Sequence, residues 1–293
     1  MPSQKITLLF YFLFLYTSIW SHPSWGIVVD SDNNIYFADI GNNGRGSVWK
    51  LYSCGEIELL LRDFHAHNVS LDANGNLITA HGEDNHTIVK RFKDGALDTL
   101  FQTRDHVQFF GGNCTYTLQN EILFCIEHYI WRLKPDGNKE KISHHYFEWN
   151  QAIFSDKEGN VYAPDKAIHD GALIKIDKDG QAKIIATNLL STLARPRDKH
   201  NDVLLGMGKD ENGAVYICEN AGRRVIQINE ESGQTNTFYT SDDNWFPTGV
   251  YFHNQETYIL EFRYTSSGME GPQIVKLDKT MHKQVLFNHA RDI

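Results

Sequence analysis

The stretch Ser24–Asp39, SWGIVVDSDNNIYFAD, recurs in variant form along the chain, and that recurrence limits the possible folds more than any other feature. It reads as an apolar strand, a polar Asp/Asn turn and a second strand carrying Ile35, Tyr36 and Phe37, which is a β-hairpin signal. Copies follow at Asn68–His81 (NVSLDANGNLITAH), Ala152–Asp165 (AIFSDKEGNVYAPD), Gly206–Glu219 (GMGKDENGAVYICE) and Gly249–Glu261 (GVYFHNQETYILE). A degenerate copy, NCTYTLQNEILFCIE, occupies Asn113–Glu127. Self-similarity at roughly 40–55 residues marks a propeller or a solenoid.

Each hairpin leads into a third strand: Val48–Leu51, Ile88–Phe92, Ile130–Leu133, Leu173–Ile176, Val225–Ile228 and Ile274–Leu277. A Gly- or Asp-rich turn and a weaker fourth strand come next, at Ile57–Leu61, Leu97–Phe101, Lys139–Ser143, Ala182–Ala186, Thr235–Tyr239 and Lys283–Phe287. Helical periodicity is absent, and an open solenoid would need caps. The expectation is an all-β, six-bladed β-propeller with four antiparallel strands per blade. The blades fall at about 22–64, 65–106, 107–146, 147–190, 200–242 and 245–293 within one domain, 22–293. Blade 1 begins on its innermost strand and blade 6 ends on its outermost, so ring closure rests on face packing between them.

The preceding segment, 1–21, reads as a signal peptide: Lys5 is a basic start, Ile6–Ile19 is almost wholly apolar, and cleavage is expected after Ser21. That makes the protein secreted or periplasmic, with no membrane contact after signal removal. A formal net charge of -9 argues against nucleic acid, which selects for a basic face. A monomer is expected. Among four cysteines, Cys114 and Cys125 fall opposite each other if Gln119-Asn120 is a two-residue turn, which leaves open a cross-strand disulfide or two buried thiols.

In a propeller the loops entering each innermost strand and leaving each second strand share one face, around the central channel. The entering segments are His22–Trp25, His65–Asn68, Phe110–Asn113, Glu148–Gln151, Lys199–Asp202 and Trp245–Thr248. The leaving residues are Asp39, His81 with Glu83, Glu127 with His128, Asp165, Glu219, and Glu261 with Arg263. Convergent polar groups in a concavity nominate a binding site. The candidate ligand-binding residues are Trp25, His67, Asn68, Asn113, Asn150, His200, Asn201, Glu219, Arg223, Glu261 and Arg263. Aromatics at or beside the entrances (Trp25, Phe110, Trp149, Trp245, Phe246) suit a sugar, a small polar ligand or a partner's loop. No G-x-S-x-G elbow and no phosphate-cradling glycine loop is present.

PSWGIVVDSDNNIYFAD and FPTGVYF resemble NHL-type propeller repeats, and LLGMGKDENGAVYICENAGRRVIQI is similar to the SMP-30/gluconolactonase group. The latter resemblance implies one divalent cation, calcium or zinc, in the channel, and Asn150 matches that group's asparagine. Ser24 and Trp25 stand where the group has its first acid, and Leu205 where it has its late Asp. A rebuilt metal site would draw on Asn150, Asn201, Asp202, His67 and His200. NHL-type lyases that hold zinc through three channel histidines suggest His67, His81 and His200 instead. Two functions follow: binding of a small polar ligand, glycan or partner at the channel mouth, or metal-dependent lactone/ester hydrolysis or lyase chemistry there.

Overall fold

The computed structural model describes residues 23–41, 45–82, 86–104, 114–134, 136–150, 152–191, 204–242, 244–265 and 268–293; the apolar segment read as a signal lies outside them. Blade 1 comprises β1 (Ile27–Val29), β2 (Ile35–Asp39), β3 (Ser47–Leu51) and β4 (Ile57–Arg62), and blade 2 comprises β5 (Ala66–Leu71), β6 (Leu77–His81), β7 (His86–Arg91) and β8 (Leu97–Thr103). Blade 3 holds β9 (Cys114–Tyr116), β10 (Ile122–Ile126), β11 (Tyr129–Leu133) and β12 (Lys139–Lys141); blade 4 holds β13 (Phe154–Ser155), β14 (Val161–Asp165), β15 (Ala172–Ile176) and β16 (Ala182–Ala186). Blade 5 is β17 (Leu204–Lys209), β18 (Val215–Glu219), β19 (Arg224–Ile228) and β20 (Thr235–Thr240). Blade 6 is β21 (Trp245–His253), β22 (Glu256–Thr265), β23 (Gly268–Leu277) and β24 (Lys283–Asn288), followed by the one-turn helix α1 (His289–Asp292). Six separate four-stranded antiparallel sheets result, the expected architecture.

Successive strand residues point to opposite faces, and both faces of each second strand are buried between blades. In β2, Ile35 and Phe37 pack with Tyr258, Leu260 and Phe262 of blade 6, while Tyr36 and Ala38 pack with Ala66, Val69 and Leu77 of blade 2. The same alternation sends Phe124 toward blade 2 and Leu123 toward blade 4. The core is therefore a ring of interblade layers, and the layer between blades 6 and 1 closes it without any shared sheet. α1 adds to this seam: His289 lies 3.5 Å from the buried Asp39 carboxylate and edge-on to Trp49.

The hairpin turns explain the repeat. Asp30 Oδ1 accepts the amides of Asp32 and Asn34, and Asn34 Nδ2 donates to Asp30 Oδ2. Asp72, Asp156 and Asp210 hold their turns alike. In the degenerate blade 3, Thr117 Oγ1 takes the place of the carboxylate, accepting from Gln119 and Glu121 amides. This turn is one residue different from the Gln119-Asn120 turn expected, and the register becomes Cys114↔Phe124. A one-residue slip reverses every side chain, so Cys114 faces blade 2 and Cys125 faces blade 4, and all four cysteines are free. Burial pushes both thiols up to about 12. With only Cys54 exposed, thiol titration should find one fast-reacting group in the native protein and four after unfolding. Two fewer thiols in the unfolded, unreduced protein would overturn this register.

Candidate functional site

The channel mouth is built from the entrance loops, and three innermost strands begin there with a bulge. Register shifts occur between Ala66 and Val69, Leu204 and Met207, and Pro247 and Gly249. Bulges of this kind re-aim side chains at the end of a ladder. In blade 2 the bulge carries His67 and Asn68. His67 is buried, its ring 5.0 Å from that of Trp25 and 4.8 Å from that of His65, while the His65 amide donates to His81 Nδ1 over 2.8 Å. Trp25, although on blade 1, joins the apolar cluster of blades 4 to 6 with Ala152, Leu205 and Met207. It is 5% exposed, so its indole is packed into this cluster rather than offering an open ring face.

Two predicted asparagines brace the scaffold. Asn68 Nδ2 donates to Cys114 O at 3.0 Å, bridging blades 2 and 3. Asn150 Nδ2 donates to Ala152 O (2.8 Å) and Pro164 O (3.0 Å). Ser24 Oγ and Thr248 Oγ1 make the equivalent bond in blades 1 and 6, to Ala38 O and Leu260 O, each one residue before the acid that ends the second strand.

Those terminal acids are buried at one structural level: Asp39, Asp165, Glu219 and Glu261. Asp165 accepts three backbone amides, from Glu148, Trp149 and Ala167, and so shapes the entrance to blade 4. Glu219 accepts from the Ser191 amide and from Arg224 Nε; the predicted Arg223 instead sits in the following turn at φ 53°. A Cβ at Gly222 would lie 2.2 Å from Glu219 Oε2, so a side chain there would displace the buried carboxylate. Glu261 accepts from Tyr239 Oη (3.0 Å), Ser241 Oγ (2.5 Å) and Gln273 Nε2 (2.6 Å). Blade 3 differs: Ile126 ends its second strand, and Glu127 and His128 form a turn with positive φ beyond it.

Burial holds the Glu261 carboxyl above the usual carboxylate range despite its three donors. A raised folded pKa gives stability that is complete in acid and lost as pH rises through that pKa. Glu261→Gln should therefore lower Tm or leave it unchanged near about pH 4, and gain relative to wild type toward neutrality. A variant that loses ground steadily between those limits would contradict a buried, destabilised carboxylate.

Arg263 is paired with Glu270 and lies over the Trp245 ring at 5.4 Å, on a blade 6 hairpin that runs longer than its counterparts. Glu270 and the extended hairpin were not singled out by sequence; the ten-residue β22 is legible only once pairing shows that Arg263, Tyr264 and Thr265 continue the ladder. Asn113, His200, Asn201 and Asp202 lie outside the described residues. Among the described residues, no group of three His, Cys, Asp or Glu side chains surrounds a point suited to a metal ion.

No protein-family model and no curated protein matches the sequence. Solved structures match its fold. A streptogramin B lyase superposes with a TM-score of 0.62 at 15% identity, over 91% of this chain and 83% of its own. A gluconolactonase from Xanthomonas campestris gives 0.58 at 16%, over 82% and 83%. Regucalcin from Agrobacterium tumefaciens, a calcium-binding protein, gives 0.59 at 11%, over 82% and 85%. The structural neighbours are thus SMP-30/gluconolactonase-like and streptogramin-lyase propellers, and at such identities the fold is what the chain shares with them.

Proposed function

We propose that the protein is an exported propeller that binds a small polar ligand, a glycan or a partner's loop at the channel mouth, without chemistry of its own. The observation that carries this reading is how the charges at the mouth are engaged. Asp165, Glu219 and Glu261 are buried and accept hydrogen bonds from the chain itself, so they hold the loops in shape. Among the described residues near them, Trp149, Glu148 and His128 reach solvent, with Arg263 and Glu270 partly exposed, a set suited to recognition. Export is supported by Lys5 followed by the apolar Ile6–Ile19, and the charge of -9 disfavours nucleic acid as partner.

A second reading, a metal-dependent lactone or ester hydrolase or a lyase at the same mouth, is favoured by one observation. The two carbonyls that anchor Asn150 Nδ2 fix the amide so that Oδ1 is turned away from them, the kind of orientation an outer-shell bond gives a ligand. The described residues do not by themselves complete a ligand set. The gluconolactonase and the calcium-binding regucalcin among the neighbours keep this reading worth testing.

The test is elemental analysis of mature, tag-free protein purified without chelator, alongside calorimetric screening of sugars and peptides against wild type and Arg263→Ala. The binding reading expects no stoichiometric metal and a ligand whose affinity falls in the variant. Stoichiometric calcium or zinc that disappears in Asn150→Ala, with the fold intact, would replace it with the second reading.

A further inference from the structure

Two large aromatic side chains stand out as exposed, Tyr146 at 47% and Trp149 at 38%, and they lie three residues apart in the connection from blade 3 to blade 4. Three residues span at most roughly 10 Å, so the two side chains leave the backbone within the reach of one oligosaccharide. The segment between them is anchored rather than loose. Phe147 is fully buried; its amide donates to His128 O at 2.9 Å, and His128 Nδ1 lies 2.8 Å from Phe147 O. Beyond it, the buried Asp165 carboxylate accepts the amides of Glu148 at 2.6 Å and Trp149 at 3.1 Å.

Each ring is also backed on one side. Tyr146 stacks on His128 with centroids 4.6 Å apart and planes at 19°, so its exposure comes from the opposite face and edge. The Lys166 ammonium sits 4.4 Å over Trp149. Between and beside the rings, Glu148, Glu127 and His128 are exposed. Fixed apolar ring faces flanked by hydrogen-bonding groups match the alternation of C–H faces and hydroxyls on a pyranose, and a fixed platform loses little entropy on binding. Two exposed carboxylates beside the platform, on a chain of net charge -9, disfavour acidic sugars.

We infer that Tyr146 and Trp149 form a stacking platform for a neutral oligosaccharide on the rim between blades 3 and 4. The inference rests on the glycan branch of the binding reading and places the sugar at the edge of the mouth between blades 3 and 4.

The test is calorimetry and tryptophan fluorescence on the intact, tag-free protein with cellotriose, maltotriose, chitotriose and trigalacturonate. The variants are Tyr146→Ala, Trp149→Ala and, as a control on a distant exposed turn, Leu118→Ala. The expected result is saturable binding of at least one neutral trisaccharide, weakened about tenfold or more by either aromatic substitution, the loss of one stacking contact of about 1.4 kcal/mol. Leu118→Ala should bind as wild type does, and trigalacturonate should bind more weakly. Absence of binding to all three neutral sugars overturns the proposal. So does binding that survives both substitutions at full strength, which would locate the sugar elsewhere and leave the channel-mouth reading standing.

Discussion

Gly249→Ala should destabilise the protein more than any other glycine-to-alanine change in a strand. A Cβ at Gly249 would lie 2.3 Å from Trp25 O and 3.0 Å from Ile27 Cγ2, so it would push blade 6 off blade 1 at the seam that closes the ring. The obstacle is mostly backbone and cannot rotate away. Gly206 and Gly26 occupy the same register in blades 5 and 1: a Cβ there would meet Gly249 Cα at 2.7 Å and Val69 N at 2.5 Å. These glycines let the innermost strands approach closely around the channel. The expected loss is about 2–4 kcal/mol, in the range of overpacking with backbone displacement. For a domain of this size that lowers Tm by roughly 4–8 °C. Gly55→Ala provides the scale, since its φ is +94° but nothing lies within 4 Å of its Cβ, and left-handed strain alone costs about 1–2 kcal/mol. Equal losses for the two variants in thermal unfolding would show that close strand approach does not limit closure.

Lys209→Met should cost about 2–4 kcal/mol at pH 7, because it removes the cation from a buried cluster while leaving the anions behind. Lys209 Nζ lies 2.9 Å from Asp156 Oδ2, 3.0 Å from Tyr162 Oη and 3.3 Å from Glu230 Oε2, tying blade 4 to blade 5 on the face opposite the candidate site. Glu230 keeps Lys175 and Tyr162 as partners, which limits the loss, whereas Asp156 is almost completely buried and keeps only Asn160, Tyr162 and turn amides. Burial alone would raise Asp156, but hydrogen bonds from Asn160 and Lys209 outweigh it and hold its pKa below the ordinary value; Glu230 is lowered in the same way by Lys175 and Tyr162. Lowered carboxylates contribute stability above their unfolded pKa values and lose it as pH falls through the folded ones. The gap between wild type and variant should therefore shrink in acid. Denaturant unfolding at pH 7 and near pH 3 measures it, and a pH-independent gap would mean that packing, not charge, dominates.

The fold was legible because the repeat encodes it locally. In blades 1 to 5 an Asp or Thr that holds its own turn, followed by a strand apolar on both faces, identifies the hairpin, and Phe37, Tyr162 and Ile217 all fall on such strands; blade 6 turns instead through Asn254-Gln255. Even the misjudged register of blade 3 was recoverable, since Thr117 stands where other blades have Asp30, Asp72, Asp156 and Asp210. The polar character of the channel face could also be read from the acids that end second strands. Their roles could not. Sequence shows that Glu219 and Glu261 sit at equivalent strand ends, but Arg224, Tyr239, Ser241 and Gln273, which engage their oxygens, come from other strands of the blade. Likewise, nothing local shows that Trp25 is buried while Trp149 faces solvent. Turn chemistry and strand alternation act over a few residues and are written in the chain order. Which side chains are buried, and which remain for a ligand, depends on six blades meeting around an axis, and that meeting exists only in the tertiary structure.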